Sequence, residues 1–98
     1  MKSREEYIDV MSRQLKEWSA KIDELESQMG SVNAEMKSAF QQHLLDIKDR
    51  RDAMARKLQD IRSSSGDAWE TLATGMDNAW DVFKISFKSA KDKFKKAA

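Results

Sequence analysis

The chain has 98 residues, no proline, no cysteine, three glycines and 36% charged side chains, with a formal net charge of +1. That length allows one domain with a modest core, the composition suits long helices and is poor for sheets, and the lack of cysteine excludes disulfides and thiolate metal sites. The longest apolar run, Ala53-Met54-Ala55, is far short of the ~20 residues of a membrane span.

Met1-Lys2-Ser3-Arg4-Glu5-Glu6 lacks the apolar core of a secretory signal, so a cytoplasmic protein is expected. Ser3 and Glu6 have the spacing of a capping box, which starts a helix at Ser3. Along that helix Ile8, Met11, Leu15, Trp18, Ile22, Leu25, Met29, Val32 and Met36 recur in alternating steps of 3 and 4. This is a heptad seam, and a stripe so narrow normally meets another helix. It resumes one residue out of phase as Phe40, Leu44, Ile47, Met54, Leu58 and Ile61, with Arg51 filling the seam position between Ile47 and Met54.

Two readings of this region stand open. Gly30 costs only about 1 kcal/mol inside a helix, and the seam passes Met29, Val32 and Met36 without missing a step. The favoured expectation is therefore one helix over 3–62, ~90 Å long. The alternative is a turn near Gly30, which gives a three-helix bundle.

Arg62-Ser63-Ser64-Ser65-Gly66-Asp67 is the clearest break, with a turn over 63–66. Asp67 and Glu70 then mark a new helix over 67–96. That helix repeats every eleven residues: Ala68, Ala79 and Ala90 correspond, as do Leu72, Phe83 and Phe94. A period of 3.67 residues per turn keeps a stripe straight on an α-helix. Trp69, Leu72, Met76, Trp80, Phe83, Phe87 and Phe94 thus share one packing face, or one membrane face. At about 1.5–3 kcal/mol per large apolar side chain, that face must be covered.

The expected fold is all-α: a long coiled-coil helix with a shorter amphipathic helix folded back on it as a hairpin. In the continuous-helix reading the stripe from Ile8 to Met36 stays bare and requires a second chain. A homo-oligomer, dimer or tetramer, follows. In the three-helix reading a monomer suffices.

Charge is uneven along the chain. Residues 1–62 hold twelve basic and twelve acidic side chains, Asp67 to Asp81 holds four acids and no base, and six lysines follow Phe83 against Asp92 alone. Lys84, Lys88, Lys91 and Lys95, beside the aromatic stripe, are candidate contacts to anionic lipid headgroups. The cluster Lys48, Arg50, Arg51, Arg56 and Lys57 is diluted by Asp46, Asp49, Asp52 and Asp60, with i,i+4 pairs expected at Asp46–Arg50 and Asp52–Arg56. It reads as a solvated face, and nucleic acid is disfavoured as a partner.

His43 is the single histidine, with Asp46 one turn on. No second histidine and no nucleophile pattern joins them, and the glycines form no phosphate-binding motif. No catalytic residue, metal site, cofactor or small-molecule substrate is expected.

Several motifs resemble a family of small bacterial coiled-coil domain-containing proteins, some of the stress-response type. The similarity covers nearly the whole chain. It runs through Arg4-Glu5-Glu6-Tyr7, Gln14-Leu15-Lys16-Glu17-Trp18, Asp49-Arg50-Arg51-Asp52-Ala53 and Leu58. It is strongest at Ser65-Gly66-Asp67-Ala68-Trp69-Glu70 with Leu72, Gly75, Ala79 and Trp80. The resemblance implies a helical, non-enzymatic cytoplasmic protein. Gly30 departs from the family pattern.

Overall fold

The structure, a computed structural model, describes residues 3–97, with side chains described through Lys95. Three α-helices account for nearly all of it: α1 (Arg4–Ser27), α2 (Ala34–Ser63) and α3 (Ala68–Ala97). They form an up-down-up bundle with extents of 52 × 19 × 17 Å. Contacts distant in sequence fix the directions. Arg62 donates to the Ser12 hydroxyl at 2.9 Å and Lys48 pairs with Glu26, so α1 and α2 are antiparallel. Phe40 meets Phe94 with ring centroids 5.1 Å apart, so α2 and α3 are antiparallel too.

The continuous helix expected over 3–62 does not form. A short 3-10 turn at Gln28–Ser31 follows α1, Val32 is extended (φ −81°, ψ 137°), and Asn33 caps α2. The Asn33 side chain accepts the Met36 N–H at 3.1 Å, satisfying a donor that the first helical turn leaves free. Positive φ occurs among the described residues only at Gly66, so Gly30 does not make this turn by a left-handed conformation. Burial decides the outcome. Folding back covers Ile22, Leu25 and Val32 against the remainder of the core, and each large side chain covered is worth about 1.5–3 kcal/mol. Leaving the seam bare on one long rod forfeits that gain.

Asn33→Ala is expected to lower stability by about 1 kcal/mol, because it strips the cap from α2. Chemical denaturation checks the value, and an unchanged midpoint would mean that the cap is not needed to hold the turn.

The other boundaries have clear local causes. Ser3 accepts the Glu6 N–H at 3.2 Å and so caps α1. Ser64 is extended after α2, and Gly66 sits at φ 61°, a left-handed conformation that costs other residues roughly 1–2 kcal/mol. The Asp67 carbonyl then accepts the Glu70 N–H at 3.1 Å as α3 begins.

The core runs the length of the bundle. Phe83, Ile22, Ile47, Met54, Ile61 and Met76 are its largest fully enclosed side chains. Trp18 of α1 reaches across to α3, with its ring edge-on to Trp80, Phe83 and Phe87 at 6.1, 5.5 and 5.1 Å. No described helix is long and apolar enough to cross a membrane.

Candidate interaction face

α1 and α3 each pack closely on α2 but meet one another much less. Among the described residues two grooves lie between them, one toward each end of the bundle, and both rest on aromatic side chains.

The first groove has a volume of about 460 Å³ and is lined by Trp18, Lys21, Glu24, Leu25, Gln28, Lys84, Phe87, Lys88 and Lys91. Trp18 is half-buried, held by its edge contacts to α3. Lys21 lies one turn along α1, and its Nζ sits 4.4 Å from the Trp18 ring centroid. Such a cation–π contact at an exposed site is worth about 0.5–1 kcal/mol. Four lysines against one glutamate make this end strongly basic.

The second groove, about 480 Å³, is lined by Tyr7, Val10, Met11, Gln14, Trp69, Glu70, Ala73 and Asp77. Its charges are both acidic. Tyr7 is buried here, its ring 6.0 Å from Trp69, and its hydroxyl donates to Asp77 Oδ1 at 2.7 Å with the Ala73 carbonyl at 3.1 Å. Burial, reinforced by the hydrogen bond and charge of Asp77, pushes the Tyr7 phenol above its ordinary pKa. A raised folded-state pKa on a phenol stabilises the fold fully below the ordinary value near 10, and that stability is lost as pH rises beyond it.

Tyr7 is the single tyrosine, so its ultraviolet absorbance reports this group alone. Phenolate is expected to appear only above the ordinary range, together with loss of helical signal. Ionisation near pH 10 with the helices intact would show that Tyr7 is neither buried nor held by Asp77.

The residues singled out from sequence separate into three groups. In the first stripe, Met11, Ile22, Leu25 and Val32 are buried and Ile8, Leu15, Trp18 and Met29 are half-buried against the core, whereas Met36 is 40% exposed. The stripe is thus covered within one chain, and the second chain demanded by a continuous helix is not required to cover it. In the α3 stripe, Met76, Trp80, Phe83, Phe87 and Phe94 are buried and Trp69 packs against the core, while Leu72 stays 38% exposed. Among the lysines, Lys84, Lys88 and Lys91 gather at the first groove, and Lys95 is exposed on the same flank of α3.

Sequence reasoning missed Lys21 and Glu24 as members of this groove. Only the packing of α1 beside α3 brings them there, although the i,i+3 spacing of Lys21 from Trp18 was a legible hint.

Elsewhere, Arg50 pairs with Asp46 at 3.0 Å as the i,i+4 spacing suggests. Asp52 pairs with its neighbour Arg51 at 3.2 Å instead of Arg56. His43 lies against the Phe40 ring, and no group of three or more metal-ligating side chains occurs among the described residues.

Comparison with known proteins returns no match to any family model, curated protein or solved structure.

Proposed function

We propose that this chain is a non-enzymatic interaction protein that self-associates through the α1–α3 face. The observation that carries the reading is the incomplete closure of this one seam. Trp18 and Trp69 remain half-exposed in grooves at the two ends of the same face. Aromatic side chains set in grooves with a charged rim are typical anchors of protein interfaces. The bundle does not need this contact to cover its heptad stripe, so association is an added function and not a condition of folding.

Light scattering after size exclusion tests it. A mass rising from 11.3 kDa toward twice that value over tens to hundreds of micromolar is expected. A constant 11.3 kDa throughout that range would end the proposal. The resemblance to stress-response coiled-coil proteins supports a cytoplasmic, stress-linked setting for this role.

A second reading, peripheral binding to an anionic membrane, is favoured by a specific observation. Lys21, Lys84, Lys88 and Lys91 converge around Trp18 and Phe87, and Ile85, next to Lys88 on α3, is 70% exposed. Lysines over anionic headgroups with neighbouring apolar side chains at the interface form a recognised binding mode. Flotation with phosphatidylglycerol vesicles at low salt discriminates, since protein left in the bottom fraction removes this reading.

A further inference from the structure

The exposed flank of α3 carries a charge pattern that reverses about its own midpoint. Glu70, Asp77, Asp81, Lys84, Lys88 and Lys95 are all exposed, and at 100° per residue they share an arc of about 60°. The three acids precede Val82 and the three lysines follow Phe83. Glu70 and Asp77 border the acidic groove, and Lys84 and Lys88 border the basic one. The charges therefore flank the very surface through which association is proposed, and the inference rests on that reading.

We infer that two copies pair face to face and antiparallel through α3, about a two-fold axis crossing that helix between Val82 and Phe83. Glu70, Asp77 and Asp81 of each copy then meet Lys95, Lys88 and Lys84 of the other. One axis position serves all three pairs, because the members of each pair lie equally far from it along the helix. At the axis, the Asp81–Lys84 pair of each copy, 3.7 Å apart within the chain, joins its symmetry mate in a cluster of four charges. Parallel pairing in register would instead set acid on acid and lysine on lysine, an arrangement that like-charge repulsion rejects.

Symmetry also matches the apolar surfaces. Trp18, which packs on Trp80, Phe83 and Phe87, lies close to the level of the axis, so the two copies of this half-buried ring face one another. The long face measures about 52 by 19 Å. Those extents bound the contact at on the order of 1,000 Å² per copy, enough to hold the roughly 800 Å² per partner of a standard interface. Area and charge thus both fit a second copy of this chain.

Charge reversal on the full chain tests the geometry. One variant, Glu70→Lys with Asp81→Lys, makes the flank wholly basic at those sites. The other, Lys84→Glu with Lys95→Glu, makes it acidic there. Each alone is expected to self-associate at least about 10-fold more weakly than the wild type. An equimolar mixture is expected to restore a dimer containing one chain of each kind, because every cross-pair is again complementary. Circular dichroism verifies that both fold, and the single reversals Glu70→Lys and Lys95→Glu repeat the test with less perturbation.

The outcomes separate cleanly. A wild-type dimer whose variants self-associate equally well overturns the antiparallel pairing but leaves self-association standing. Failure of the mixture to form the mixed dimer also overturns the pairing. A monomeric wild type overturns both, and if that monomer floats with phosphatidylglycerol vesicles, the lysines serve a membrane instead.

Discussion

Phe83→Ala is expected to destabilise the bundle by about 3–5 kcal/mol, the range for deleting a large buried aromatic side chain. Phe83 is fully enclosed at the middle of α3. Its ring meets Trp18 at 5.5 Å and Trp80 at 5.6 Å, and Phe87 stacks one turn further on at 6.4 Å. Removing it leaves a cavity bounded by three other aromatic side chains, which are too rigid to collapse into the space. For a domain of this size each kcal/mol moves the melting temperature by about 4–8 °C, so a fall of at least about 12 °C is predicted. A shift of only a few degrees would mean that Phe83 is not at a packed centre.

Ile22→Ala is the second large effect, with an expected loss of about 2–5 kcal/mol. Ile22 sits in the middle of the α1 stripe and has no solvent exposure. The informative quantity is how the loss varies with protein concentration. If the stripe is covered by the chain's own α2 and α3, the drop in melting temperature is the same in dilute and concentrated samples. A stripe covered by a second chain gives a loss that changes with concentration, because unfolding is then coupled to dissociation. A concentration-dependent difference between variant and wild type would contradict the internal packing of Ile22.

Much of this fold is legible in the sequence because it depends on periodicity. The stripe from Phe40 to Ile61 and the eleven-residue repeat of α3 each place a continuous apolar face on a helix, and both faces are buried except at Trp69 and Leu72 near the start of α3. The break at Ser64–Asp67 is marked by small polar residues and by Gly66. The turn at Gln28–Ser31 is concealed for a physical reason. Val32 falls at a seam position by count, yet it is buried in an extended connection, not on a helix. Met36 also continues the count but is exposed on α2. The one-residue slip before Phe40 was the true sign of a break, since Met36 belongs to no stripe. Asn33 was equally visible but lacks the glutamate that completes a capping box, so its capping role emerges only in the folded chain.

The interaction face is less legible than the fold. Lys84, Lys88 and Lys91 stand out by composition, and spacing along α3 places them on one flank. That they surround Trp18 depends on which helix lies beside α3, and no pattern within a single helix encodes its neighbour. The reversal of charge about Val82 and Phe83 is present in the sequence. It gains meaning only when the two grooves show that this flank borders an open seam.

If α1 folds back along α2 within one chain, Ser12 and Arg62 lie side by side, and the distance between them measures this. The protein has no cysteine, so Ser12→Cys with Arg62→Cys gives a clean pair of spin-label sites, diluted with unlabelled protein to suppress contacts between copies. The expected distance is the spacing of neighbouring packed helices, about 10 Å between axes plus the label arms. A separation near ~75 Å, the span of fifty residues in a continuous helix, would contradict it.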